Sequence, residues 1–424
     1  MPASRGSSTT LIRWWSLKRP GPSTTRALSA NLRLGDAAAV ARVAAYARRA
    51  GLPEPLRVEA ISTLGVWAAP SNMDRVDGAW IAPLPQREAS AAQAAVTELA
   101  SLLADPAATP AVKVAWIEAV AKLGVKSQAG AILARLQSDP QASVRVAALA
   151  ALQTLAVPEL EPGMRAAMAD ADIAVRTAAI AALPEMPLAA PTKVEMLSSV
   201  VGKGNTAEQQ SAVRALGKVP GNEAVQALGR LADGLTTGVV APAVQLDLLE
   251  AMQVTKAAPL QERLDQLKVG RDLANLGTVF PAALTTGGSP LRGRQISQQH
   301  AAAQCGRCHA TGASTADVGP ALAGVGTRLT RQQLLESLIT PSARLAPGYG
   351  QVSVVLKNGQ KVEGTLREES ATAIAIDVTT RGLQRIQVAD IATRTNGVSA
   401  MPPMNLLLTP REIRDIVEYL ATLK

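Results

Sequence analysis

Aromatic side chains are almost missing from this chain of 424 residues. Phe, Tyr and Trp together make up 2%, and there is a single Phe. A core without rings has to be filled by Ala, Leu and Val, and closely packed Ala-rich helices do this well because Ala has the highest helix propensity. The shortage of rings also argues against a base-stacking surface for nucleic acid. The net charge of +9 therefore reads as that of a basic soluble protein, with an acidic partner surface still compatible. Cysteine is nearly absent too. The two that exist are separated by two residues, which excludes a disulfide framework. No run of about 18 apolar residues occurs, so no transmembrane segment is expected.

Acidic residues are absent from the first 33 positions, where Arg5, Arg13, Lys18, Arg19, Arg26 and Arg33 lie. Trp14 and Trp15 stand there without an apolar h-region, so the stretch does not read as a secretory signal. Two readings fit residues 1–35: a disordered basic arm, or the wrong beginning of a longer protein. Elsewhere the composition is that of a folded chain, 47% hydrophobic and 18% charged. Its length suits two to four domains.

A repeat fills the middle. Apolar, basic, apolar residues are followed by small and apolar residues at offsets of four, five and eight. The pattern occurs as Leu56-Arg57-Val58 with Ala60, Ile61 and Leu64, and as Val112-Lys113-Val114 with Trp116, Ile117 and Val120. It recurs as Val144-Arg145-Val146 with Ala148, Leu149 and Leu152, and as Val175-Arg176-Thr177 with Ala179, Ile180 and Leu183. Weaker copies put Ala212, Val213 and Leu216, then Leu248, Leu249 and Met252, in the same places. The spacing is 32 residues (112 to 144) and 31 (144 to 175). These offsets lie on one helix face, and each period holds two short helices that must stack on neighbours to bury it. The longer first interval, 56 residues (56 to 112), predicts an insertion loop around Pro70 to Glu88. The units resemble HEAT repeats over residues 36–270, an architecture that presents a protein-contact surface or serves as a spacer.

The chemistry lies after Gly287-Gly288. Cys305-Gly306-Arg307-Cys308-His309 is Cys-x-x-Cys-His. The spacing puts two thiols on one turn, where each can form a thioether to a haem vinyl, and places His309 under the iron. Two other chemistries use such a pair. A thioredoxin-type dithiol needs a strand-to-helix context, whereas the flanks here are Ala- and Gln-rich and read as helical. A zinc site needs more donors than the chain has, since His300 is the other histidine. Downstream, Gly319-Pro320 with Leu322 resembles the cytochrome c loop whose proline carbonyl accepts a hydrogen bond from the ligand imidazole. Met401-Pro402, 92 residues on (309 to 401), precedes a last helix over Arg411 to Lys424 with Ile413, Ile416, Val417 and Leu420 on one face. This arrangement resembles a distal methionine ligand, and a thioether raises the haem potential. Met404 competes with Met401 for that role, His300 stands third, and either methionine also fits as core filler.

Between the ligand segments, Gln351 to Thr393 alternates as strands do, with Asn358-Gly359 as a hairpin turn. The whole reads as a mainly α protein. A basic arm spans 1–35, a HEAT-like α-solenoid 36–280, and an α-helical cytochrome c domain 281–424. That last domain carries a small antiparallel β insert at 350–396. The insert could shield a haem edge or dock a partner.

The run through Cys305-Gly306-Arg307-Cys308-His309, Gly319-Pro320, Leu334-Leu335-Glu336-Ser337, Pro341-Ser342, Ala346-Pro347-Gly348-Tyr349, Asn358-Gly359 and Ser399-Ala400-Met401-Pro402 resembles a known family. It is similar to the haem-binding domain of bacterial membrane-bound dehydrogenase-type proteins of planctomycete-like lineages, in which HEAT repeats precede the Cys-x-x-Cys-His module. Asp74-Arg75-Val76 also resembles that family. The resemblance implies one covalent haem c, a redox partner protein or dehydrogenase domain, and a periplasmic or other extracytoplasmic location. It departs from the family in lacking the β-propeller that usually precedes the repeats, and in having Ile296 where many cytochromes place Phe. Three functions follow from these readings: an electron-transfer module on a repeat scaffold, an interaction scaffold with a structural or vestigial haem site, or the C-terminal part of a sugar or alcohol dehydrogenase. No acid–base or nucleophile constellation is visible, so no catalytic residue is assigned.

Overall fold

The structure, a computed structural model, describes residues 22–85, 87–310 and 318–424. The chain divides into two compact units, Met1–Met196 and Leu197–Lys424. The division falls within the repeat array and not at its end near residue 280.

In the first unit, helices α1 (Pro22–Leu34), α2 (Ala37–Arg48), α3 (Glu54–Gly65), α4 (Ser90–Glu98), α5 (Pro110–Leu123), α6 (Ala129–Ser138), α7 (Ala142–Leu155), α8 (Leu160–Met168) and α9 (Ile173–Ala182) follow one another. The helices carrying the repeat motif, α3, α5, α7 and α9, pack each on the next, and α6 packs on α8. This is the stacking of an α-solenoid of HEAT type. Its cause is the offset pattern: Ala60, Ile61 and Leu64, Trp116, Ile117 and Val120, and Ala148, Leu149 and Leu152 are all buried. In two of the motifs the basic residue ties one turn to the next. Lys113 Nζ meets Asp139 at 3.2 Å, and Arg145 grips Asp170 through two hydrogen bonds of 2.7 and 2.8 Å. The Arg145 guanidinium holds the Asp170 carboxyl below the usual carboxylate range.

Two expectations change here. The part of the basic arm at 22–34 is a helix with Ala27, Leu28 and Leu32 buried, whereas residues 1–21 lie outside the described residues. The insertion at Pro70 to Glu88 contains a tight ribbon in which Met73 pairs with Trp80. Asp74 anchors it to Arg33 and Ser29, and Arg75 donates to Glu59 at 2.7 and 2.9 Å.

Helix α10 (Ala190–Lys203) runs through the boundary between the units. In the second unit, α11 (Thr206–Leu216), α12 (Asn222–Thr237), α13 (Pro242–Thr255) and α14 (Ala258–Gln266) continue the repeat pattern, with α11 stacked on α13 and α12 on α14. Then come α15 (Leu276–Val279), α16 (Pro281–Thr285), α17 (Pro290–Gln299), α18 (Val325–Arg328) and α19 (Arg331–Ile339). The strands are β1 (Gln351–Leu356), β2 (Lys361–Glu369), β3 (Ala373–Val378), β4 (Gly382–Gln387) and β5 (Ile391–Asn396), and α20 (Pro410–Thr422) closes the chain. The sheet is antiparallel in the order β4-β3-β2-β1-β5. One face buries Val352, Val354, Val362, Leu366, Ile374, Ile376 and Ile386. The turn between β1 and β2 uses Gly359 at φ +85° and Asn358 Oδ1 as acceptor for the Gln360 N–H at 2.9 Å.

Helices α17 and α20 cross closely at Gly293, where any Cβ would lie 2.0 Å from the Asp415 carbonyl oxygen. Asp415 caps this crossing by accepting from the Ser289 N–H at 2.7 Å. The other side of α20 rests on α13 through a buried charge cluster. Asp247 is fully buried and meets Arg214 at 2.5 Å, Arg411 at 3.0 Å and Arg414 at 2.8 Å. Arg411 also pairs with Glu250, whose carboxyl burial pushes up against the pull of Arg411. Arg414 is itself fully buried, so removing its carboxylate partner would strand an uncompensated charge.

Candidate functional site

Helix α17 stops at Gln299 because the chain turns at His300. The His300 Nδ1 accepts from the backbone N–H groups of Ala302 (3.3 Å) and Ala303 (3.1 Å), and Gln304 takes a left-handed conformation at φ +40°. The Ala- and Gln-rich flank is therefore not a continuous helix up to the first cysteine, because the imidazole competes for the N–H groups a helix would use. Cys305–Arg307 then forms one 3-10 turn. The N–H groups of Cys308 and His309 both donate to the Cys305 carbonyl, at 3.2 and 3.0 Å. The turn thus gathers Cys305, Cys308 and His309 on a single backbone loop.

Both thiols are free; Cys305 is half-buried and Cys308 exposed. Burial pushes the Cys305 thiol above its usual value, opposed by a backbone hydrogen bond. A redox dithiol of thioredoxin type needs the opposite shift, because the thiolate is the nucleophile. No three His, Cys, Asp or Glu side chains converge among the described residues as a closed zinc site requires. Haem asks less of the protein: two thiols for the macrocycle edge and one ring nitrogen for the iron.

The His309 ring is oriented as that chemistry requires. Its Nδ1 lies 2.7 Å from the Pro320 carbonyl oxygen, so Nδ1 carries the proton and donates. The Nε2 makes no hydrogen bond among the described residues. Gly319 packs under the ring, where an added Cβ would come 2.9 Å from His309 Cε1 and 3.0 Å from the Cys308 carbonyl oxygen. The Leu322 N–H closes the loop onto the Ala310 carbonyl at 2.8 Å. The donor set and the ring orientation both fit haem c.

The three candidates for a distal ligand differ in what they already do. His300 has Nδ1 occupied as a turn cap and its Nε2 3.6 Å from Glu412, so it is committed to positioning the turn. Met404 is 3% exposed and belongs to a short turn packed on α19 and α20, the role of core filler. Met401 is half-buried, and its backbone N–H donates to Ser399 Oγ at 3.1 Å. No hydrogen bond joins Met401 to the Cys305–His309 turn among the described residues. Sequence patterns missed the Asp247 cluster and the turn-capping role of His300.

No family model matches this chain, and comparison with curated proteins gives no match. Among solved structures, the chain is similar to human deoxyhypusine hydroxylase in complex with glycerol at 19% identity and a TM-score of 0.27, covering 61% of this chain and 88% of that one. It is also similar to the complex of CpcE and CpcF of phycocyanin lyase from a Nostoc species at 18% identity and a TM-score of 0.32. That match covers 63% of this chain and 97% of the other. The repeat architecture stands on the helix packing described above and not on these likenesses.

Proposed function

We propose that residues 281–424 bind one covalent haem c and transfer electrons, on a HEAT-like repeat scaffold. The observation that carries this reading is the His309 ring, held by the Pro320 carbonyl through Nδ1 and left with an uncommitted Nε2. Cys305 and Cys308 would supply the thioethers, and His309 the proximal nitrogen. Bound haem supplies a one-electron couple, which no side chain here offers by itself. The chain's own work is positioning. Pro320 fixes the tautomer and the plane of the ring, Gly319 leaves room for it, and His300 sets the turn that presents the thiols. Met401 is the distal ligand in this reading, since Met404 and His300 are otherwise engaged.

The family resemblance extends the proposal. The electron donor would be a sugar or alcohol dehydrogenase domain or partner, at an extracytoplasmic location where haem attachment takes place. No helix among the described residues is long and apolar enough to cross a membrane.

Co-expression with cytochrome c maturation factors tests the reading. Covalent, redox-active haem is expected at one per chain, and it should disappear in Cys305→Ser/Cys308→Ser. Met401→Ala should lower the reduction potential and change the ferric spectrum, whereas Met404→Ala should mainly lower stability. A matured preparation without covalent haem would refute the proposal and leave the repeat scaffold as the working part.

A further inference from the structure

The β insert has no role in the chemistry above, yet the Met401 segment begins where the insert ends. Only four residues lie between Asn396, the last of β5, and Met401, and five hydrogen bonds are concentrated there. Asn396 Nδ2 donates to the carbonyl oxygens of Ser342 (3.2 Å) and Ala343 (2.8 Å). The Ser399 N–H donates to Ser342 Oγ at 3.0 Å. Ser399 Oγ in turn accepts from the Met401 N–H at 3.1 Å. The Gly397 N–H donates to the Gln351 carbonyl at 2.8 Å and closes the neck of the sheet.

The geometry points to a positioning role for this clasp: Ser342, Asn396 and Ser399 fix the backbone that carries Met401, and the β insert brings the clasp together. The inference rests on the haem reading and deepens it. Ser342 and Ser399 are 57 residues apart in sequence. An unstructured connection of that length would have to close a long loop at an entropic cost each time the methionine approached its ligating position. The sheet removes most of that freedom by pairing β1, which starts the insert, with β5, which ends it, from Val352↔Asn396 to Leu356↔Ile391. The anchoring side is firm. Ser342 follows α19, which packs on α20 and on the turn holding buried Met404. The chain thus passes from a packed helix through a sheet and back to the same serine. From there a relay of hydroxyl and amide reaches Met401. Such a device sets the position of a thioether without touching it.

The test compares Ser342→Ala, Asn396→Ala and Asn396→Asp in the full chain matured with haem. The aspartate is isosteric but cannot donate to two carbonyls at neutral pH. Covalent haem per chain should stay at the wild-type level, because Cys305, Cys308 and His309 are untouched. The methionine-to-iron charge-transfer band should weaken or vanish, and the reduction potential should fall towards that of Met401→Ala. Ser342→Thr keeps the hydroxyl acceptor and should retain both signals. If Asn396→Ala does not fold, Ser342→Ala carries the test, since it removes one acceptor only. Unchanged band and potential in the Ser342 and Asn396 variants overturns the clasp. So does loss of the band only in step with loss of haem, which marks a general structural role. A wild-type chain that takes no haem overturns the haem reading itself. A wild-type band that survives Met401→Ala overturns the choice of Met401. Each of these also removes the clasp, but each is read on a different preparation.

Discussion

The charge cluster around Asp247 and the turn around His309 lie in the same unit and use their polar groups in opposite ways. Asp247 is fully buried and is shared by Arg214, Arg411 and Arg414, although Arg414 Nε and one of its terminal nitrogens are buried without a hydrogen bond among the described residues. Its effect is to fix α20 on α13. The turn leaves groups unspent: two free thiols and a ring nitrogen with no hydrogen bond among the described residues, while the rest of the ring is held. Buried polar groups that satisfy one another specify a fold. The turn instead gathers its groups on one partly exposed loop. The cluster holds two helices together, and the turn is where the proposed haem chemistry would lie.

The largest effect should come from breaking the buried cluster. Asp247→Ala leaves three guanidinium groups without their shared carboxylate, one of them on the fully buried Arg414. Loss of one partner of a buried ion pair costs about 3–5 kcal/mol. A urea titration of the full chain should show that loss. In folded protein the spectrum of the proposed haem, where loaded, should stay unchanged. A drop below about 1 kcal/mol would mean the cluster is screened by solvent, and the contrast with the turn would weaken.

How much of this was legible in sequence depends on the range of the contact. The six motif helices came from offsets of four, five and eight, because burial of one face imposes that period locally. The His309–Pro320 contact was anticipated from the resemblance of Gly319-Pro320 with Leu322 to the cytochrome c loop, a pattern that lies close to His309 in sequence. The hairpin came from Asn358-Gly359. The Asp247 cluster was not legible. Its partner Arg414 is 167 residues away, and charged residues on α13 and α20 read as a solvent face until the two helices are seen to meet. The turn at His300 was hidden for a different reason. Ala- and Gln-rich sequence favours helix, and one imidazole accepting two N–H groups overrides that preference. The expected alternation stopped at Thr393, whereas β5 runs to Asn396: Ile391-Ala392-Thr393-Arg394-Thr395-Asn396 has a single large apolar side chain, so its pairing is set by the neck of the sheet and not by alternation. The helix at 22–34 was missed because basic composition outweighed the i, i+4 pair of Leu28 and Leu32.

A smaller effect should come from disturbing the oriented side. Gly319→Ala forces a Cβ to within 3 Å of the His309 ring and the Cys308 carbonyl, and overpacking of this kind costs about 1–3 kcal/mol. The ring should tilt or lose its bond to Pro320, shifting the His309 imidazole resonances and, in haem-loaded protein, the reduction potential. Gly306→Ala is the matched control, since nothing lies within 4 Å of a Cβ there. Equal responses from both alanines would show that the ring is not held as described.

The smallest effect tests whether pairing in the repeat array behaves as structure alone. Asp170 is depressed below its usual value by Arg145, with its side chain 9% exposed. A carboxylate with a lowered folded value contributes stability that is complete above its unfolded value of about 4 and is lost as pH falls through the folded one. Stability of the wild-type chain should therefore decline below about pH 4 by more than that of Asp170→Asn, which cannot titrate there. The difference should be about 1 kcal/mol, the usual net contribution of an intramolecular hydrogen bond. Urea unfolding between neutral and acidic pH measures it. Identical pH profiles for the two proteins would mean that Arg145 holds the repeats together through the Asp139 carbonyl it also reaches, at 2.7 Å, and that the array relies on backbone acceptors more than on charge.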